Sequence, residues 1–336
     1  MKIIVFGAGK IGTQMVKILG KDNIIFFVDN DESKWGTAIE GIPVYSPEKL
    51  MLEEEPQVCV AVSMRIMDEI VEQLNRMGIN NYTTFQDEIW ERSLITNEKM
   101  KDLRNKFEGK RCFIIGTGPS LRVEDLEALQ KNGEICFASN KIFKLYDRTS
   151  WRPDLYSVID YKVFSFYYDE ICKIDCPYVF MSNLFSTDYA EGLDENKMRG
   201  DNKYTLNLVI KKEKRRNSEE LYPGFSTAPY KYIVDGMTVT YAMMQIAYFL
   251  GFKEMCLLGI DFNYGDTSGL DVKKADHFCS NYIAKGEVVN PPRLDDSYKA
   301  YMVAEEFSRK NGFRIYNATR GGKLEVFERV NIEDYL

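Results

Sequence analysis

The chain carries a single histidine, His277, and an imidazole of ordinary pKa, about 6.5, is the side chain best suited to take a proton at neutral pH. It stands in a polar stretch, KKADHFCSNYIAKG (273–286), away from any apolar helical face. Asp261 and Asp296 are carboxylates that could do the same work. A second group has the residue types needed to hold a phosphate: Gly116-Thr117-Gly118-Pro119-Ser120, between an apolar run (112–115) and a helix-patterned segment (121–129) with Glu124 and Asp125 in its first turn. Two glycines flanking a small polar residue, with proline ahead of a helix, make a corner where backbone N–H groups can meet an anion. An ordinary strand-to-helix turn is the plain alternative.

Polar residues end three further strand-like runs. Ser139-Asn140 follows 135–138, Asp160 follows 155–159, and Asp261-Phe262-Asn263-Tyr264-Gly265-Asp266 follows 255–260. Ligands collect at the carboxyl ends of strands in open parallel sheets. Asp261 and Asp266 lie five residues apart, not as a tight D-x-D, and read as structural carboxylates rather than metal ligands. No metal is expected. The apolar stretch Thr238–Leu250 reads as a buried helix, with Gly251 as its C-cap.

These elements need a frame, and the N-terminus supplies a smaller version of it. Residues 2–6 read as a buried strand, followed by Gly7, Gly9 and Gly12, then Ile11, Met15, Val16, Ile18 and Leu19 at helical spacing, and a second strand, 24–28, ending at Asp29. Strand, G-x-G-x-x-G, helix, strand, acid is the Rossmann-type pattern, in which a phosphate can sit on the helix N-terminus and the acid can accept from a ribose. A strand at 57–62, a helix at 65–77 and a strand at 80–84 complete a domain over 1–88. It is about half a dehydrogenase domain and no hydride-transfer site follows, so it either holds a nucleotide or only positions its neighbour. Residues 89–110 read as a charged helical connector, and 111–336 as a second, larger α/β domain with a Rossmann-like sheet.

The chain has 336 residues, 45% apolar and 28% charged, which makes it globular, and a net charge of -7, which argues against a nucleic-acid partner. No apolar run approaches the ~20 residues that span a bilayer. The opening MKIIVFGAGKIG reads as a strand and turn rather than a signal peptide. The seven cysteines include no CxxC pair and read as reduced core thiols. A cytoplasmic protein is expected, at the inner face of the membrane if the basic run Lys211–Arg216 touches anionic lipid. That run could also draw in a phosphorylated acceptor or be a solvated hairpin tip. Tyr204, Tyr222, Phe225, Tyr230 and Tyr232 suggest an insertion folded over an acceptor cleft, whereas Tyr298, Tyr301 and Phe307 read as core. A homo-oligomer is left open.

The string CFIIGTGPSL (112–121) resembles the opening of the bacterial sialyltransferases of glycosyltransferase family 42, whose loop reads G-N-G-P-S-L, and TVTYAMMQIAYFLGFKEMCLLGIDFNYGD (238–266) resembles that family's helix, strand and G-I-D-F-x-x-G-D ending. More closely, the chain is similar to a related bacterial group that includes the flagellin-modifying motility accessory factors and is described as 6-hydroxymethylpterin diphosphokinase-like. That group's C-terminal pattern corresponds to His277-Phe278, Tyr282, Tyr316–Thr319 and Gly321–Phe327. The resemblance covers about 95–336, and the N-terminal segment resembles small domains on sugar-modifying enzymes of bacterial polysaccharide pathways. It implies a sialyltransferase-like, modified GT-A catalytic domain that moves a sugar from a nucleotide donor, a CMP-activated nonulosonic acid or similar, to a surface glycan or glycoprotein acceptor, by metal-independent inverting displacement and with no required cofactor.

By position, Gly116, Thr117, Gly118, Pro119 and Ser120 would hold the nucleotide or its phosphate, Asn140 and Asp160 would face the donor, Thr238 the nucleotide side, and Asn263 and Tyr264 the phosphate. His277, Asp261 and Asn140 are the candidate catalytic residues. Three positions depart from the sialyltransferases. Thr117 replaces Asn, Asn263 stands where they carry a phosphate-binding Tyr, and Leu294-Asp295-Asp296 stands where they carry the basic His. The alternative implied by the group's description is pyrophosphoryl transfer to a pterin from ATP with Mg²⁺.

Overall fold

Strands covered on both faces read as continuous apolar runs, and the first, β1 (Ile3–Phe6), has all four side chains buried. The computed structural model describes residues 2–85, 98–184, 187–214, 221–263, 277–287, 289 and 292–336, which fall into two units, 1–95 and 96–336. Of the expected connector, 89–97 lie outside the described residues.

In the smaller unit β1 is followed by α1 (Lys10–Leu19), β2 (Ile24–Val28), β3 (Ala38–Ile39), β4 (Ile42–Tyr45), β5 (Val58–Val60), α2 (Met64–Arg76) and β6 (Tyr82–Thr84). The sheet order is β3-β4-β2-β1-β5-β6, and only β3–β4 is antiparallel. Alternate residues of β1 serve two cores: Ile4 and Phe6 pack with Phe26, Val58 and Leu74, and Ile3 and Val5 with Met15, Phe27 and Cys59. The β3–β4 hairpin was not anticipated. Its two-residue turn places Glu40 and Gly41 at φ 49° and 82°, the positive-φ pair that tight hairpins need.

The larger unit opens with a short helix, α3 (Glu98–Lys101), then β7 (Arg111–Ile115), α4 (Val123–Lys131), β8 (Ile135–Ser139), β9 (Leu155–Val158), α5 (Tyr161–Phe166), α6 (Tyr168–Cys172), β10 (Tyr178–Ser182) and β11 (Lys203–Leu206). Small pairs follow: β12 (Leu208–Val209) with β15 (Ile233–Val234), and β13 (Lys212–Lys214) antiparallel to β14 (Leu221–Pro223). The chain returns through α7 (Val239–Phe249) to β16 (Glu254–Leu258), then α8 (Leu294–Lys310), β17 (Arg314–Asn317) and β18 (Glu328–Arg329). Eight parallel strands lie in the order β11-β10-β9-β8-β7-β16-β17-β18.

Helix α7 is buried almost all round, as its unbroken apolar sequence requires. Its buried amide, Gln245, is fully enclosed and satisfied: Oε1 accepts from the N–H groups of Ser226 (2.9 Å) and Val234 (3.0 Å), and Nε2 donates to Val234 O (2.9 Å). The aromatics expected over an acceptor cleft are in large part core instead. Phe225 stacks on Phe307 at 4.2 Å, Tyr204 on Phe180 at 5.2 Å, and Tyr230 packs on Phe249 at 5.7 Å. Large rings beside α7 and α8 bury too much apolar area to be left at a surface. Tyr301 and Phe307 are core as expected, and Tyr298 is exposed. Of the basic run, β13 belongs to a hairpin whose tip, 215–220, lies outside the described residues. Six of the seven cysteines are buried, Cys279 is partly so, and none forms a disulfide. Among the described residues no helix is long and apolar enough to cross a membrane.

Candidate functional site

β7 and β16 are neighbours, yet the chain leaves β7 toward β8 and reaches β16 only after crossing back. Strand order reverses between them, and the ligand crevice of an open α/β sheet lies at such a reversal. The turns that follow the two strands are stitched together. Gly116 N–H donates to Leu258 O (2.8 Å), Gly118 N–H to Gly259 O (2.9 Å), and Ser120 gives Asp261 Oδ2 both its hydroxyl (2.8 Å) and its N–H (3.4 Å). A Cβ on Gly116 would stand 2.4 Å from Gly259 O, and one on Gly118 1.9 Å from Asp261 Oδ2.

The glycines are therefore demanded by the approach of the two turns. This corrects the expectation that their amides are free to grip a phosphate. Pro119, which is exposed, has no N–H, and Leu121 N–H is turned onto Gly118 O (3.2 Å). Thr117 N–H is the corner amide without an acceptor among the described residues. Asp261, expected as a reserve base, is instead a wedge, 9% exposed, with its carboxyl pushed up by burial against the bonds from Ser120. The turn after β17 braces it from the other side, where Lys323 N–H donates to Asp261 O (2.7 Å).

Asn140 stands one strand over, just past the Ile115–Ala138 pairing of β7 and β8. Its backbone is held at φ 50°, its N–H on Ser157 O (3.1 Å) and its carbonyl on the Tyr156 hydroxyl (2.6 Å), while its side-chain Oδ1 is shielded from solvent and has no hydrogen-bond partner. Ser157 Oγ near the end of β9 and Ser182 Oγ at the end of β10 are buried and unpartnered as well. Three adjacent strand ends thus carry oxygens that folding has stripped of water without replacement, which costs about 1–3 kcal/mol for each such group. Asn140 is partly exposed, so a ligand donor could reach its Oδ1, whereas Ser157 and Ser182 are fully enclosed in the sheet.

Lys141, the next residue, was missed by sequence reasoning. Its ammonium lies 2.6 Å from Glu287 Oε1, and both side chains are 3% exposed. Glu287 Oε2 accepts from the Tyr167 hydroxyl (2.7 Å) and Ala284 N–H (3.0 Å). Burial lowers the Lys141 pKa; burial would raise that of Glu287, but its three donors outweigh it and hold the carboxyl below its usual range. The pair fastens the 277–287 segment to the strand ends, together with Lys144 Nζ on Asn281 O (2.8 Å) and Phe278 N–H on Thr117 O (3.2 Å). His277 therefore comes to the corner. Its ring stacks on Tyr282 with centroids 3.8 Å apart, and the Tyr282 hydroxyl meets Thr117 Oγ1 at 3.0 Å.

Asp160 is placed at a strand end as expected, but Oδ1 is occupied as the cap of α5, accepting from the N–H groups of Lys162 (2.8 Å) and Val163 (3.1 Å). Thr238 is the N-cap residue of α7 and makes no side-chain cap bond; its hydroxyl lies 3.4 Å from the Tyr301 hydroxyl. The helix thus presents an uncapped, partially positive end where the strands finish. Asn263 is exposed; Tyr264 lies outside the described residues.

Asp235, two residues past the start of β15, was also missed. Burial raises its pKa above the ordinary 3.8, and the neighbouring Asp160 and Asp296 carboxylates add to this against the Met237 N–H and Arg293. Asp235 binds its proton more tightly folded than unfolded, so its contribution to stability is complete below pH 3.8 and is lost as pH climbs through the raised folded value. Asp235→Asn should therefore raise the melting temperature at pH 7 relative to wild type and leave it unchanged near pH 3; equal melting curves at both pH values would contradict this.

In the smaller unit, Gly7 (φ 117°) and Gly12 are required by packing: a Cβ on Gly12 would stand 1.8 Å from Gly7 O. Gly9 differs, with nothing within 4 Å of its missing Cβ, and it precedes α1 without a side-chain cap. Asp29 Oδ2 accepts from Ala8 N–H (2.6 Å) and Lys34 Nζ (3.0 Å), and Oδ1 from Asp31 N–H (2.8 Å), so the acid expected to face a ribose holds the glycine turn in shape. Among the described residues no three His, Cys, Asp or Glu side chains converge as metal ligands would.

An open parallel sheet with a strand-order reversal between β7 and β16 defines a doubly wound α/β domain. The family model described as 6-hydroxymethylpterin diphosphokinase MptE-like matches residues 92–267, just over half of the chain, and the chain belongs to that family, as the motifs of 112–121 and 238–266 indicate. A second model, C2185-like, N-terminal, matches residues 1–85. Among solved structures the chain is similar to the MAf glycosyltransferase from Magnetospirillum magneticum AMB-1, at 13% identity and a TM-score of 0.41, over 99% of this chain and 57% of that one. The chain thus spans less than two thirds of that neighbour's length. No curated protein matches it.

Proposed function

We propose that the larger unit is a glycosyltransferase whose donor is a nucleoside-monophosphate sugar, a CMP-activated nonulosonic acid or a close relative, and whose acceptor is a glycan or glycoprotein hydroxyl. The observation that carries this reading is Asn140 Oδ1, an unpartnered acceptor on a partly exposed residue just past the end of β8, beside the strand-order reversal. Such an acceptor suits an amino or hydroxyl donor of a nucleoside or a sugar. The state of the corner supports a single phosphate. A polyphosphate is usually cradled by a succession of free amides, and here the amides of Gly116, Gly118 and Ser120 already have protein acceptors. Thr117 N–H and the uncapped end of α7 are enough for one phosphate.

In this reading the acceptor oxygen attacks the anomeric carbon, the bond to phosphate breaks on the opposite face, CMP leaves with the electron pair, and the acceptor proton passes to the imidazole of His277. No metal enters the step. Asn140→Ala removes a ligand acceptor that has no protein hydrogen-bond partner, so CMP affinity should fall about 10- to 100-fold, the equivalent of 1–3 kcal/mol, while relief of the unpartnered oxygen offsets the strain of alanine at φ 50° and keeps the chain folded. Calorimetric titration with CMP tests this. Binding of ATP that requires Mg²⁺, with none of CMP, would replace the reading by pyrophosphoryl transfer, the reaction named in the family's description.

For the smaller unit we propose a nucleotide or sugar-phosphate site at Gly9. Gly9→Ala should cost about 1 kcal/mol of folding stability, the usual penalty for Ala at an N-cap, yet abolish any binding of UDP, CMP or NAD by that unit. A Gly9→Ala chain that bound each of them like wild type would rule the site out.

A further inference from the structure

His277 has more support than a proton acceptor on a loop requires. The Tyr282 ring has the imidazole stacked 3.8 Å from its centroid and 18° from parallel, and the Lys141 ammonium 4.0 Å from the same centroid. Two groups that close to one centroid cannot share a face, so the ring is the layer between them. Beneath it, Lys141 is locked by Glu287, and Glu287 by the Tyr167 hydroxyl and Ala284 N–H. At its edge the Tyr282 hydroxyl is tied to Thr117 Oγ1. These contacts run from the buried pair to the imidazole and the corner.

We propose that Lys141, Glu287 and Tyr282 are positioning residues for His277, the ion pair anchoring the Tyr282 ring and the ring serving as a shelf that aims the imidazole at an acceptor hydroxyl beside Thr117. This deepens the transferase reading and rests on His277 as its base. A general base acts only within hydrogen-bond reach of the proton it takes, and a misplacement of about 1 Å can cost about 100-fold in rate. A side chain on a loop reaches that tolerance when a flat partner removes its alternatives. The ammonium on the far face draws the ring down by its quadrupole and fixes the shelf without touching substrate.

The chain's only histidine makes the test direct. Full-length protein labelled at histidine gives a single imidazole spin system, and stacking on Tyr282 shifts its two carbon-bound ring protons upfield by ring current. That shift should persist in Tyr282→Phe, vanish in Tyr282→Leu, and shrink in the double variant Lys141→Met/Glu287→Gln, which removes both charges and so keeps the unit folded. With a CMP-sugar as donor, Tyr282→Leu should lower kcat about 10- to 100-fold with the donor KM unchanged, and Tyr282→Phe should restore most of it. An unshifted resonance in wild type, or one that Tyr282→Leu leaves in place, overturns the shelf. If the resonance follows the expected pattern and wild type neither binds nor turns over CMP-sugars, the shelf stands and the transferase reading falls.

Discussion

Lys141→Met should destabilise the larger unit by about 3–5 kcal/mol, and most of that loss should return when Glu287→Gln is added. Removing one partner of a buried pair strands the other charge away from water, whereas removing both leaves a polar amide beside an apolar side chain of similar size. The two side chains are 3% exposed, so solvent cannot make up for the missing partner. In the single variant Glu287 keeps the Tyr167 hydroxyl and Ala284 N–H but loses its cation, and its carboxyl shifts toward the protonated form. A carboxyl raised in this way favours the fold while protonated, so the destabilisation should deepen as pH rises from 5 toward 8. Urea unfolding of the four chains of this double-mutant cycle, at both pH values, gives the coupling energy. A coupling near zero would mean that the pair is not enclosed.

Gly118→Ala should have a comparable effect and one on binding as well. The new methyl carbon would stand 1.9 Å from Asp261 Oδ2 and 2.7 Å from Gly259 O. The carboxylate can swing away, but Ser120 then loses its acceptor and a buried carboxyl loses its donors. The carbonyl belongs to the backbone and cannot swing. Overpacking of this kind costs about 1–3 kcal/mol, and the lost Ser120–Asp261 bonds bring the total to about 3 kcal/mol or more. Because the displaced turn also carries Thr117 and Phe262, CMP affinity should drop by at least about tenfold in chains that remain folded. Melting curves and CMP titration check both parts; a Gly118→Ala chain that binds CMP like wild type would place the donor elsewhere.

Much of the frame was legible from the sequence. The strand at 24–28 and the helix beginning after Thr238 appear where the apolar runs put them, because those runs are long and bounded by glycine or a polar end. The strands of 178–182 and 203–206, and the two-residue pairing at 328–329, were not seen: they are short or lie in mixed sequence, and tertiary pairing decides them. The site was legible in part. The residues at the ends of β7, β8, β9 and β16 were singled out, but the reason for the glycines was hidden because their constraint comes from Gly259 and Asp261, far along the chain. Lys141 and Glu287 sit in local contexts, S-N-K-I-F and K-G-E-V-V, that look like surface; only folding across 146 residues makes them a buried pair. Asp235 carried no local signal, since its environment comes from Asp160 and Asp296 on other elements.

The strand-order reversal also sets a schedule for biosynthesis. On a ribosome the segment from β7 to β11 can pair in sequence as it emerges, but the far edge of β7 waits for β16, which is made some 140 residues later. Until then the nascent sheet keeps a bare hydrophobic margin at its centre, the kind of transient surface on which chaperones act. The crevice between β7 and β16 cannot exist before that strand docks, so the larger unit gains its binding corner only late in synthesis.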